Sequence, residues 1–493
     1  MTISQDVDFI KSQVKSIIWN RDTEPADREY IRQMGEIKRI LERYVADDEF
    51  REEFEVDPAG AIKKYNLDVS IDPMEIRLLW DDEYLKAWDP EQIPPLPVIR
   101  YRAFIKEKIQ HRTLIQSGNY APTNNTRYKV WRDRQMKRCR SELGPFVSDH
   151  IVHASLTLEL SKGCTVGCWF CGVDAPKMTD IFTYTPENAK LWVETLQAVK
   201  DVIGEAAARS FCYWATDPLD NPDYEKFLID FHAVVGKFPQ TTTAQPMKDP
   251  AKIRSILRLA NEKGGFIDRF SILSVGMLRR VHAEFSAEEL AFVELVTQNK
   301  EAKKAGKHSA GRARMRNRKL AEKNNQEYPD DKLSGTIACV SGFLFNMVER
   351  SVKLITPCSA NERWPLGYQI FQQGNFTDGD SLRALLTDMV NNHMTTSVRH
   401  DTKIAFRKDL TYEELPDGYV LVSAYLRNSF KFKGRDIEIF KFLTGKIAEG
   451  KSDAGELAIM LEEKFDVPLE KTFYNLNSLL DSGFLDEEPE VKI

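Results

Sequence analysis

Three of the seven cysteines fall within eight positions, at Cys164, Cys168 and Cys171 of SKGCTVGCWFCGVDAPK. A structural zinc site takes four ligands, usually as two separated pairs. Here one Cys-x-x-Cys pair carries one extra cysteine, and no second pair follows downstream. A redox Cys-x-x-Cys would not need Cys164. Chance burial of three small apolar residues fits poorly with regular spacing in a glycine-flanked loop. Cubane iron–sulfur clusters are held by thiolates at such short loop spacings. Three ligands leave one iron open, and an open metal position can bind a substrate or cofactor directly.

Such a loop needs a rigid mount, and the flanking sequence supplies one. The β-prone run LTLELS (156–161) ends at the cysteines and is followed by the helical TPENAKLWVETLQAVKDVIG. SFCYWAT (210–216), QTTTAQ (240–245) and DRFSILS (268–274) are each followed by a helical stretch, the last a long one from Val275. This βαβα rhythm calls for a parallel sheet with right-handed crossovers, with chemistry on the loops at the carboxyl ends of strands. Residues 1–150 are read as helical: Tyr30, Ile31, Met34, Ile37, Ile40, Leu41 and Tyr44 make one apolar face. The segment 47–69 reads as two short helices around Asp57-Pro58, and the proline-rich 89–100 as a connection. The basic run 299–323 is read as a solvated insertion, the sharper alternative being a surface for an acidic peptide.

Cys339 and Cys358 flank a second pattern. Alternating apolar residues on both sides of a turn near Glu349-Arg350 read as a hairpin. From residue 406, strands after the turn Pro416-Asp417-Gly418 precede three helical segments, on Ile439, Phe442 and Leu443, on Leu457 and Leu461, and on Phe473, Leu476, Leu479 and Leu480. Gly483 stands where a C-cap belongs. Strands followed by three helices suggest a winged-helix-like module.

The chain has 493 residues, with 69 lysines and arginines against 75 acids. That length sets a prior of two to four domains, and the net charge of -6 argues against a general nucleic-acid binder. No signal-peptide pattern and no apolar run of membrane-spanning length is present, which places the chain in the cytoplasm, away from membranes. Its cysteines then stay reduced rather than forming a disulfide framework.

The spacing Cys164-x3-Cys168-x2-Cys171 after a first strand resembles the signature of the radical S-adenosylmethionine (SAM) superfamily. The resemblance implies a partial (β/α)6 barrel and a [4Fe-4S] cluster ligated by the three cysteines. The open iron then chelates S-adenosyl-L-methionine, and an external electron donor drives its cleavage to a 5′-deoxyadenosyl radical. By the same resemblance Phe170 lies near the adenine, and the YWATDPLDNP stretch (213–222) matches the part of the family that holds the SAM amino group. Thr216-Asp217 stands there where Gly-Glu is usual, with a turn-forming Asp before Pro as the plainer reading. Ser274, closing the fourth strand, is a candidate ribose contact. Together with TPCSANERWPLGY (356–368), these segments resemble proteusin-type radical SAM peptide epimerases, which convert L-residues of a precursor peptide to D-residues.

The implied organisation is a helical region at 1–150 with a nitrile-hydratase-leader-like segment, a radical SAM core at 151–335, and a hairpin extension at 336–405. A winged-helix-like leader-recognition domain follows at 406–493, so the implied partner is a precursor peptide carrying a leader. Cys358 matches the epimerases' hydrogen-donor cysteine, since an S–H bond is weaker than a Cα–H bond. For both Cys358 and Cys339, a buried small hydrophobe is the plainer reading. The rivals are thioether or carbon–carbon crosslinking by the same radical chemistry, and a non-catalytic leader-binding iron–sulfur protein.

Overall fold

A computed structural model describes residues 12–18, 27–265, 267–303, 309–327 and 335–489. Of the basic run, positions 304–308 lie outside the described residues.

The chain opens with helices α1 (Arg28–Ala46), α2 (Asp48–Val56), α3 (Pro58–Lys64), α4 (Asp82–Ala87), α5 (Leu96–Ser117) and α6 (Thr126–Ser148). The expected face of α1 is buried, and Met34, Ile37 and Ile40 are fully so. Asp57 accepts from the Gly60 amide and Pro58 opens α3, so the Asp-Pro pair acts as a helix start. The proline-rich connection is shorter than its composition suggested: α5 begins at Leu96 and takes Pro97 into its first turn, where no backbone donor is needed.

Next come β1 (Ala154–Glu159), the two-residue strands β2 (Ser161–Lys162) and β3 (Asp180–Ile181), α7 (Pro186–Ile203), β4 (Ser210–Phe211), α8 (Tyr224–Val235), β5 (Thr242–Thr243), α9 (Pro250–Glu262) and β6 (Asp268–Ile272). The stretch expected to be one long helix from Val275 is instead α10 (Val275–Glu284), the short α11 (Ala287–Leu290) and a strand, β7 (Val293–Thr297). Ser286 and Glu289 form a capping box that restarts the helix. The run VELVT then pairs in parallel with β6.

After α12 (Gly311–Lys323) stand β8 (Val340–Asn346), β9 (Ser351–Pro357), β10 (Tyr368–Asn375) and α13 (Gly379–His393). The last elements are β11 (Thr411–Leu415), β12 (Gly418–Val422), β13 (Arg427–Lys431), α14 (Asp436–Glu449), α15 (Ala454–Phe465) and α16 (Leu469–Asp481). Gly483 follows α16 in the left-handed region, as a residue just past a C-cap should.

The result is a mixed α/β fold with several small sheets. One has the order β10-β9-β8-β1-β4, another β5-β6-β7, and a parallel bridge between Phe211 and Gln240 links them. β1 pairs in parallel with β4 and with β8, and β6 in parallel with β5 and β7. Helices separate the parallel strands, and every residue of β1 is buried, the signature of a sheet covered on both faces. Among the described residues no pairing joins β7 to β8, so the strands do not close. β8 and β9 form the expected hairpin, with Arg350 in the left-handed region at its turn. β11, β12 and β13 make a separate antiparallel sheet against α14–α16. No helix among the described residues is long and apolar enough to cross a membrane.

Candidate functional site

The loop between β2 and β3 carries the three cysteines. Gly163 sits at φ +86°, and a Cβ there would lie 2.6 Å from the Lys177 carbonyl oxygen, so only glycine lets the two arms of the loop meet. The Cys164 amide donates to the Pro176 carbonyl at 2.9 Å and the Cys171 amide to the Cys168 carbonyl at 3.3 Å. One wall of the loop is tied down by Asp220, whose carboxylate accepts from the Thr165 amide at 2.9 Å and also from the Thr165 hydroxyl.

All three thiols face one cavity of about 750 Å³. Its walls come from the ends of the parallel strands: Tyr213 to Asp217 after β4, Thr242 and Ala244, Ser271 and Leu273, and Glu294 to Gln298. Trp169, Phe170, Val173, Trp214, Leu295 and Ile337 supply apolar wall, beside polar groups such as Thr242, Ser271, Gln298 and Asn317. Burial pushes the Cys164 and Cys168 thiols up to about 11. The backbone N–H groups of Val166 and Gly167 act against that rise at Cys164, and the Ala175 amide donates to the Cys171 sulfur at 3.2 Å.

This donor set fits a bound iron–sulfur cluster. Amide donors aimed at sulfur favour thiolates, and no fourth cysteine lines the cavity. Among the described residues no group of three or more His, Cys, Asp or Glu side chains converges as a single metal ion requires.

Phe170, Thr216 and Asp217 line this cavity with the cysteines, whereas Ser274 does not. The Ser274 hydroxyl accepts from the Met277 amide at 3.1 Å and so caps α10. Ser271 lines the cavity from the same strand. Asp217 is also spent on its own fold. Its oxygens accept from the Leu219 amide at 3.0 Å, the Thr243 hydroxyl at 2.8 Å and the Ala244 amide at 2.8 Å. Burial raises its pKa. The carboxylate therefore shapes the wall between two strand ends rather than offering open acceptors to an ammonium group.

Cys358 does not line the cavity. It is buried directly after β9, its amide donating to the Gly367 carbonyl at 2.9 Å. The Cys139 thiol donates to the adjacent Pro357 carbonyl at 3.2 Å, and Cys339 packs against the cluster of Cys139, Leu143 and Ile151. Burial holds the Cys358 thiol well above its usual range. Three of the four cysteines outside the loop thus gather at the far end of the hairpin, while Cys212 belongs to the main core.

Two neighbours of the cavity carried no sequence signal. Glu159, the last residue of β1, is buried, and its two oxygens accept from the Ala215 amide at 2.8 Å and the Asn346 side-chain amide at 2.9 Å. Burial lifts its pKa to about 7. The basic run is the other. Its α12 is not a detached solvated insertion: Ala313 and Asn317 line the cavity, and Gly311, Ala313 and Arg314 are buried. A charge run gives no hint of this, because the groups that satisfy it lie far away in sequence.

The chain is 41% identical over 399 residues to the uncharacterized protein y4wI of Sinorhizobium fredii (strain NBRC 101917 / NGR234), a match covering 80% of this chain and 76% of that protein. No protein-family model matches the chain, and no solved structure does.

Proposed function

We propose that this chain, which belongs to the family of the y4wI protein, is a radical SAM enzyme acting on a ribosomally made precursor peptide, and that it converts L-residues to D-residues. The observation that carries the radical step is the disposition of Cys164, Cys168 and Cys171: one loop, one cavity, no fourth thiol in its lining. The alternation of β1, β4, β5, β6 and β7 with helices supports the reading of a partial (β/α)6 barrel, with the sixth parallel strand, β8, pairing beside β1 rather than beside β7.

A [4Fe-4S] cluster held by the three cysteines, with S-adenosyl-L-methionine, supplies a 5′-deoxyadenosyl radical. The chain's own residues do the rest. Phe170, Trp169 and Trp214 give the cavity apolar walls against which a substrate peptide can pack. Glu159 and Asp217 fix the backbone of 214–217 at the strand ends. Bound there, the cluster and cofactor would supply the means to abstract a Cα hydrogen from an L-residue. Cys358 then gives its S–H hydrogen to the α-carbon from the other face, and the thiyl left behind takes one electron and one proton from the external donor. β11–β13 and α14–α16 are the leader-recognition module, with a peptide adding as a strand at an open edge of that sheet.

Crosslinking by the same radical chemistry is the second reading, because Cys358 stands outside the cavity lining. Turnover with precursor in deuterated water separates the two. Epimerisation leaves deuterium at the α-carbon of D-residues, whereas a product with unchanged stereochemistry and two hydrogens fewer would replace it with crosslinking.

A further inference from the structure

The first turn of α12 is sewn onto the cysteine loop. The Arg312 amide donates to the Cys171 carbonyl at 2.9 Å. Its guanidinium spreads over the same loop: Nη1 donates to the Cys168 carbonyl at 2.7 Å, Nη2 to the Ala175 carbonyl at 2.6 Å, and Nε to Asp174 Oδ1 at 3.1 Å. Gly311 makes the approach possible. It sits at φ +52°, and a Cβ there would lie 2.4 Å from the Gly172 carbonyl oxygen. The Gly311 amide reaches the other way, to the Pro365 carbonyl at 2.8 Å.

Inside the loop, by contrast, the segment from Cys168 to Ala175 has few bonds of its own. They are the Cys171-to-Cys168 turn, the Asp174-to-Cys171 turn and the Ala175 amide on the Cys171 sulfur. Such a segment does not hold one shape unaided, because each ordered residue costs about 1–2 kcal/mol of backbone entropy. A planar fork that meets three acceptors at once supplies the missing constraint, and a lysine ammonium could not span them.

We propose that Arg312 is the positioning residue of the three-cysteine loop, holding Cys168 and Cys171 in place before any cofactor binds. The statement that the loop then receives an iron–sulfur cluster rests on the reading above, whereas the ordering itself is a property of the chain without metal. α12 is therefore part of the site: through Gly311 and Pro365 it ties the loop to the connection between β9 and β10.

Hydrogen exchange on the metal-free full-length protein tests the ordering. Arg312→Ala should lose amide protection across 164–178 while α7 keeps it. Arg312→Lys should lose most of it, and Arg318→Ala, on the same helix but bonded to Glu362, should match the parent. After anaerobic reconstitution, chelator should strip iron from Arg312→Ala about ten-fold faster than from the parent, the usual cost of losing a group that orients metal ligands. Should Arg312→Ala fail to fold, Asp174→Asn reads the same clamp from the loop side through both measurements. Unchanged protection of 164–178 in Arg312→Ala, or equal loss in Arg318→Ala, overturns the proposal. A parent protein that takes up no iron defeats the cluster reading instead, and leaves the exchange result to decide on Arg312.

Discussion

The Ala215 amide donates to Glu159 Oε1 at 2.8 Å, joining the last residue of β1 to the cavity wall that follows β4. The carboxyl group is buried, and burial raises its pKa to about 7, although the Asn346 and Ala215 donors act to lower it. A carboxyl group whose pKa is higher in the folded chain than in the unfolded one binds more protons when folded. Its contribution to stability is then complete below about pH 4.5 and is lost as pH rises through about 7. Glu159→Gln cannot ionise. Between pH 5 and 8 its urea-unfolding stability should therefore fall less than the parent's, by on the order of 1–3 kcal/mol. Parallel pH profiles would contradict this.

In the proposed epimerisation, Cys358 is the residue that sets the stereochemical outcome. Cys358→Ala should still form 5′-deoxyadenosine in the presence of precursor, yet leave no D-residues and no α-deuterium. Chiral amino-acid analysis of the hydrolysed product reads this directly. Undiminished D-residue formation would remove Cys358 from the mechanism and move the search to groups that line the cavity, such as Tyr213.

The C-terminal segment is latched to the connection after β9. The Trp364 indole donates to Glu488 Oε1 at 2.6 Å, and Lys408 pairs with the same carboxylate at 2.8 Å. Trp364→Phe keeps most of the buried ring area and removes that donor. It should destabilise the chain by about 1.5–3 kcal/mol, the range for hydrogen bonds to charged groups. Denaturant unfolding measures it, and a change under half a kilocalorie per mole would mean the latch does not hold the two regions together.

Much of this site was legible in the sequence because its decisive residues are local. Three cysteines in eight positions after a β-prone run need no tertiary information to recognise. The hairpin at Arg350 and the helix start at Asp57-Pro58 are likewise short-range signals. What the sequence concealed is long-range. β7 is a five-residue strand whose β character is realised only by pairing with β6. Asp217 looked available until Thr243 and Ala244, on the next strand end, took up its oxygens. Ser274 carried a readable capping signal, one position ahead of a helix, that competes with any ligand role. Arg312 belongs to a run that composition assigns to solvent, and its guanidinium is spent on a carbonyl 144 residues away.

On the proposed function, Cys164, Cys168 and Cys171 support reductive cleavage of S-adenosyl-L-methionine. The most direct test is anaerobic reconstitution with iron and sulfide, addition of the cofactor and a low-potential reductant, and quantification of 5′-deoxyadenosine and methionine by mass spectrometry. The expected result is about four irons per chain, both products in equal amounts, and loss of both in Cys164→Ala, Cys168→Ala and Cys171→Ala. A fully loaded protein that forms no 5′-deoxyadenosine, with or without precursor, would contradict it.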